Sequence, residues 1–288
     1  MTGAFTVAEY VRPGTVDEAL AAVAEYGDRG RIIAGGTNLL VDRPDGVEAL
    51  IDITRLDLGY IRSDGGLTIG ALATVADLRA SPLLSGPYTI LKDAAKAHGH
   101  ALISHLATIG GNICKAHPVL DFPPPLLALD ADVTLAGNGG ERVMPLEEFF
   151  LGFEETALGE GEMITEFNLP APAPRTGAAF LKMGWTHVDM ALVNAAILVT
   201  LGPDNKCQEA RIALGTAAPV PFRSKQAEAV LIGKKIDDAL IKEAAAAAVR
   251  QAAPMDYHRG SEAYKRHIIG VFVERGLTEA LRIAQGKS

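Results

Sequence analysis

Apolar and polar positions along the chain fall into three blocks. In the first, ending near residue 55, residues 5–33 read as strand, helix, strand. Leu20 and Val23, with the alanines around them, form one apolar helical face. Thr15 and Glu18 have the spacing of a helix N-cap, and Gly27 is placed to stop the helix. The apolar runs at 31–34 and 49–53 predict buried strands, the first running directly into Gly35-Gly36. A small α/β unit is therefore expected over about 1–55.

The second block opens with a strand pattern at 67–71 and a helix start marked by Thr74 and Asp77. Residues 91–100 have alanines at helical spacing. Leu120 to Pro125 is expected to be irregular at its start, because three consecutive prolines do not fit inside a helix or a central strand. Residues 132–135 alternate as a strand, and Asn138-Gly139-Gly140 reads as a turn. The alternating prolines from Pro170 to Pro174 form a stiff connector. Beyond it, 179–183, 195–201 and 210–214 read as strands. Helical patterns follow from about Ser224, from Asp237 and from Ser261, the middle one rich in alanine. Strands followed by helices make this last block α+β. The chain divides into 1–174, with parts 1–55 and 56–174, and 175–288.

Composition narrows the function classes. The chain has 288 residues, 48% of them hydrophobic and 22% charged, as in ordinary globular proteins. Its formal net charge of −8 lacks the basic footprint of a general nucleic-acid binder. The longest apolar stretch, near Met190 to Leu201 and broken by Asn194, is shorter than the ~18 residues of a membrane span. The N-terminus has no basic segment followed by an apolar one, so a cytoplasmic location with reduced thiols is expected. Cys114 and Cys207 are the two cysteines, and an iron–sulfur cluster normally takes four thiolates.

The chemistry concentrates in two motifs. One is Ala34-Gly35-Gly36-Thr37-Asn38-Leu39-Leu40 after a strand; the other is Thr108-Ile109-Gly110-Gly111-Asn112. Adjacent glycines permit positive φ and close backbone approach, and successive N–H groups in such a turn form an anion-binding nest. Thr and Asn add neutral donors. A Gly-Gly pair after a strand also serves as a plain tight turn, and that reading stands beside the nest for each motif taken singly. Neither motif is a P-loop or a Rossmann turn.

Residues 34–40 and 107–113 resemble the two FAD-binding signatures of the flavoprotein subunit of molybdenum hydroxylases. That family includes the medium subunit of aerobic carbon monoxide dehydrogenase and the FAD domain of xanthine dehydrogenase. The resemblance extends through Leu120-Asp121, Phe149-Phe150, 156–158, 162–164, 211–215, 217–221 and 260–264, nearly the whole chain. It implies a vanillyl-alcohol-oxidase-like (PCMH-type) FAD-binding fold of two α/β subdomains, followed by a C-terminal domain of a small antiparallel sheet and helices. Carried over, Ala34, Gly35, Gly36, Thr37, Asn38 and Leu39, with Thr108, Ile109, Gly110, Gly111 and Asn112, would hold FAD. Asp121, Ile164, Lys182 and Met190 fall on further cofactor positions, Met190 where the family covers one face of the flavin ring. Two departures stand out. The Arg-Asn pair common before the second motif is replaced within Leu102 to Ala107, and His98 stands where some relatives have an aromatic residue.

The resemblance implies an oxidoreductase subunit without a catalytic acid or base of its own. A large partner would carry the molybdenum cofactor and a small partner the [2Fe–2S] clusters, in a dimer of heterotrimers. Electrons would reach FAD from the clusters and leave to an external acceptor, NAD or a quinone; the flavin performs the redox step and the protein binds and orients it. The scarcity of cysteines fits clusters housed on another chain. A stand-alone FAD-dependent oxidoreductase of the same fold is the alternative, and a cofactor-free interaction protein a third reading.

Other features invite plainer readings. His98, His100, His105 and His117 cluster with Cys114, but their spacing matches no common zinc pattern, and no metal is expected. Trp185 and Phe180 read as core, the alanine-rich helix as packed, Asp189 as either a turn aspartate or a flavin-side group, and Lys265, Arg266 and His267 as a solvated helix face.

Overall fold

The computed structural model describes residues 6–256 and 260–287. The first unit contains β1 (Glu9–Val11), α1 (Val16–Tyr26), β2 (Gly30–Ile33), α2 (Leu39–Asp42) and β3 (Ala49–Asp52). Its three strands are parallel in the order β1-β3-β2. Thr15 caps α1 by accepting from the Glu18 N–H at 3.2 Å, and Gly27, at φ +50°, ends it.

The second unit contains β4 (Ile61–Arg62), β5 (Gly66–Gly70), α3 (Val75–Ala80), α4 (Thr89–Ala97), α5 (Ala101–Ser104), α6 (Ile109–Lys115) and α7 (Pro123–Ala128). It continues with β6 (Asp132–Gly137), β7 (Gly140–Pro145), the hairpin of β8 (Phe150–Gly152) and β9 (Glu155–Thr156), and β10 (Met163–Pro170). The main sheet is antiparallel, ordered β4-β5-β10-β6-β7. Ile69, Val133, Leu135 and Phe167 from this sheet share one core with Leu78 of α3, Leu91 of α4, Ile113 of α6 and Leu126 of α7. Thr74 and Asp77 form the full reciprocal capping box at the start of α3.

The third unit is an antiparallel sheet of β11 (Thr176–Met183), β12 (Val193–Leu201), β13 (Cys207–Gly215) and β14 (Phe222–Arg223). The helices α8 (Lys225–Leu231), α9 (Asp238–Gln251) and α10 (Glu262–Ala284) follow. Strand β12 explains why its sequence is almost unbroken in apolar residues. Val193, Ala195, Ile197 and Val199 face the helices, whereas Ala196 and Leu198 join the core of the second unit. A strand buried on both faces shows no alternation.

Several expectations change. The prolines of 123–125 do not break structure; they form the first turn of α7, where helix N–H groups lack intrahelical acceptors and proline forfeits no bond. The helix expected over 91–100 ends at Ala97, because Gly99 at φ +58° turns the chain. Trp185 is 71% exposed on the loop between β11 and β12, while Phe180 packs partly buried against the core. Lys265 is 4% exposed, its Nζ donating to the Met255 carbonyl at 2.9 Å, so only His267 of that basic trio is fully on the surface.

Candidate functional site: two glycine motifs and a buried polar hub

The first motif leaves β2 at Ile33 and enters α2. Gly36 has φ +67°, a conformation that only glycine adopts without penalty. Gly35 is glycine for a different reason. A Cβ there would stand 1.7 Å from the Leu106 carbonyl oxygen, so the motif lies backbone against backbone on the residues just before the second one. Two segments about 70 residues apart in sequence thus meet through a missing side chain. The N–H groups of Gly35, Gly36, Thr37 and Asn38 have no acceptor among the described residues. Four consecutive free amide donors are suited to holding an anion.

The second motif differs from its sequence partner. It is the opening turn of α6, with Thr108 as N-cap. The N–H groups of Ile109 to Asn112 are engaged within the chain: Ile109 donates to Ala73 O, Gly110 to Ala71 O at 2.9 Å, Gly111 to Thr108 Oγ1 and Asn112 to Thr108 O. Gly110 allows close packing, since a Cβ would meet the Ala71 carbonyl at 2.7 Å. Gly111 faces open space apart from its own cap oxygen, 3.0 Å from an added Cβ. Among the described residues the first motif therefore offers a row of free N–H donors, whereas the second exposes only the backbone of Gly111. Beneath it, Asn112 is buried and its Oδ1 has no hydrogen-bond partner among the described residues. An orphaned buried acceptor costs about 1–3 kcal/mol and calls for a donor.

Ile164 sits buried at a β-bulge of β10, and the neighbouring Thr165 carbonyl accepts from Ala71 N at 2.8 Å. This ties the bulge to the strand end on which Gly110 rests. Asp121 is the centre of a buried polar hub. Its Oδ2 accepts from Lys182 Nζ at 2.8 Å and lies 3.0 Å from His98 Nδ1. A carboxylate only accepts, so His98 donates through Nδ1. Lys182 Nζ also donates to the Ala97 carbonyl at 2.7 Å, and Asn194 Nδ2 reaches Asp121 Oδ1 at 3.4 Å. Met190 lies in the loop between β11 and β12 and is 58% exposed. Asp189 accepts from Thr186 N at 3.0 Å within that loop, as a turn aspartate does.

Sequence reasoning did not select Asn194 or His98 for the site. The signal for Asn194 was present as the one polar interruption of the apolar run at 190–199. The histidines do not converge: His98 pairs with Asp121, and His117 stacks edge-on against Phe153 at 4.9 Å. Among the described residues no group of three or more His, Cys, Asp or Glu side chains is arranged to hold a metal ion.

FAD fits these residues. Its pyrophosphate accepts hydrogen bonds, matching the four free N–H groups, and its ribityl and ribose hydroxyls are donors of the kind the Asn112 Oδ1 lacks.

A parallel three-stranded unit and an antiparallel five-stranded unit, with glycine motifs pressed together at their junction and an α+β unit appended, define a PCMH-type FAD-binding flavoprotein. Residues 4–172 match the family described as the FAD binding domain in molybdopterin dehydrogenase. Residues 178–280 match the CO dehydrogenase flavoprotein C-terminal domain. The chain belongs to this family of oxidoreductase flavoprotein subunits. It is 37% identical over 285 residues to the 6-hydroxypseudooxynicotine dehydrogenase complex subunit alpha of Paenarthrobacter nicotinovorans, covering 96% of this chain and 95% of that one. The carbon monoxide dehydrogenase medium chain of Hydrogenophaga pseudoflava is 34% identical, covering 94% and 96%. The solved carbon monoxide dehydrogenase from that organism superposes with a TM-score of 0.92 at 34% identity, covering 96% and 97% of the two chains. Quinoline 2-oxidoreductase from Pseudomonas putida 86 gives 0.89 at 27% identity, covering 99% of each.

Proposed function

We propose that this chain is the electron-relaying FAD subunit of a molybdenum-containing hydroxylase or dehydrogenase. It works between a small subunit bearing [2Fe–2S] clusters, beside a large molybdenum-cofactor subunit, and an external acceptor such as NAD or a quinone. The observation that carries this reading is the row of four free N–H groups at Gly35 to Asn38, set against the bare backbone of Gly111 and the unpartnered Asn112 Oδ1. Bound FAD supplies the redox step. Residues of the two motifs, Ala34 to Leu39 and Thr108 to Asn112, bind the pyrophosphate and adjoining hydroxyls. Asp121, Lys182 and Ile164 shape the wall, and Met190 shields a face of the ring with an apolar, polarisable side chain.

Relatives named as a medium chain or as a subunit of a dehydrogenase complex support a multi-subunit assembly; a dimer of heterotrimers is the form proposed for it. Two cysteines, Cys114 and Cys207, support clusters on a separate chain. No helix among the described residues is long and apolar enough to cross a membrane, and a cytoplasmic site of action accompanies the proposal. The division into an FAD region to about residue 174 and a C-terminal domain beyond it belongs to the same reading.

The test is the visible spectrum of the purified chain, before and after incubation with FAD. Flavin absorbance that stays with the protein through gel filtration is expected; no uptake would overturn the reading. Co-purification of two further subunits is the second expected result. Turnover of an organic substrate by the single chain would favour the stand-alone oxidoreductase instead.

A further inference from the structure

The strip 118–121 follows α6 in sequence, three residues after the helix that carries the second glycine motif. Its hydrogen bonds nevertheless run to the third unit. The Pro118 carbonyl accepts from Thr216 N at 2.9 Å and Thr216 Oγ1 at 3.1 Å. The Val119 carbonyl accepts from Ala191 N at 3.3 Å, and the Leu120 carbonyl from Asn194 Nδ2 at 2.9 Å. Asp121 completes the row through Lys182 and Asn194.

Asn194 is fully buried, in a strand whose neighbouring residues are apolar. Both groups facing its amide nitrogen are acceptors, which fixes the orientation of the amide. Its Oδ1 then points away from the strip and has no partner among the described residues. The cross-strand row explains how it fits: Lys182 of β11, Asn194 of β12 and Gly215 of β13 are in register, and a Cβ on Gly215 would lie 2.0 Å from Asn194 Oδ1. A buried amide with one unsatisfied atom, in a slot cleared by a glycine, is poor design for packing alone. It does make sense as a clamp on the strip.

We propose that Asn194 is a positioning residue for the cofactor cleft. It acts through Leu120 and Asp121 to hold the second glycine motif and the Met190 loop in fixed relation. Met190 lies just four residues before Asn194 and its loop enters β12 at Val193, so one side chain fixes both walls. This inference rests on the FAD reading and concerns how tightly and in what environment FAD is held.

The experiment uses the full chain stripped of flavin and titrated with FAD, read by quenching of flavin fluorescence and by visible circular dichroism. Asn194→Ala removes both donated bonds, and Gly215→Ala pushes the amide off its position from the other side. Each is expected to weaken FAD binding about tenfold or more, the loss of roughly one well-made buried hydrogen bond, and to change the dichroism of the flavin that binds. Val199→Ala is the control, because Val199 lies on the same strand facing the helices, away from the strip. It is expected to lower the urea midpoint while leaving FAD affinity within about twofold and the dichroism unchanged. Wild-type affinity and dichroism in Asn194→Ala would overturn the inference. So would FAD affinity that falls in Val199→Ala in proportion to lost stability, since Asn194 would then be merely structural. A wild-type chain that takes up no FAD would overturn the FAD reading itself, and this inference with it.

Discussion

The Leu106 carbonyl oxygen occupies the space where a side chain on Gly35 would begin, 1.7 Å from an ideal Cβ. That contact seats the first glycine motif on the approach to the second. Gly35→Ala is therefore expected to force the motifs apart, lowering the thermal midpoint and abolishing FAD uptake together. Gly111→Val should separate the two effects. Its Cβ meets only the Thr108 cap oxygen, at 3.0 Å, so the fold persists and FAD affinity falls. Calorimetry and FAD titration on both variants check this; unchanged affinity in Gly111→Val would place the site elsewhere.

Asp121 and Lys182 form an ion pair in which both side chains are almost wholly buried. Removing one charge leaves the other stranded, so Asp121→Asn is expected to destabilise the chain by about 3–5 kcal/mol. Asp121→Asn combined with Lys182→Met should cost less than the sum of the two single changes, because no stranded charge remains. Urea unfolding of the three variants measures this coupling.

Thr108 Oγ1 accepts from the Gly111 N–H at 3.2 Å and caps α6. Thr108→Ala is expected to cost about 1 kcal/mol and to weaken FAD binding by freeing the turn beneath it. Thr108→Ser keeps the hydroxyl and should restore both. Equal behaviour of the Ala and Ser variants would show that the cap is irrelevant.

His117 gives a pH dependence with a definite sign. Burial holds its imidazole below the usual range, with Glu154 pulling more weakly the other way, and its Nδ1 accepts from the Val119 N–H at 3.3 Å. The neutral ring is the form the fold prefers. Its contribution is complete above the unfolded value of ~6.5 and is lost as pH falls through the lower folded value. The thermal midpoint of the wild type is expected to drop more steeply below pH ~6.5 than that of His117→Gln. Parallel curves would remove His117 from the account.

Much of the local structure was written in the residues. Thr15 and Thr74 announced their helices because a cap needs only a hydroxyl and an N–H three residues away. The strands of the third unit were legible from apolar runs. Three prolines misled because the rule against proline applies to a helix interior and not to its first turn. The second glycine motif passed for a loop like the first, since glycine spacing does not reveal that Thr108 caps a helix there.

The sequence by itself determined the two glycine motifs, their separation, the poverty in cysteine and the resemblance that joins them to a flavin. Which amides remain free was decided only by the tertiary structure. So were the contact of Gly35 with Leu106 and the convergence of Lys182 and Asn194 on Asp121, 61 and 73 residues away. The physical reason is range. Caps and turns are settled by neighbours a few residues apart, whereas the engagement of a donor, or the burial of a charge, depends on whatever distant segment folds against it.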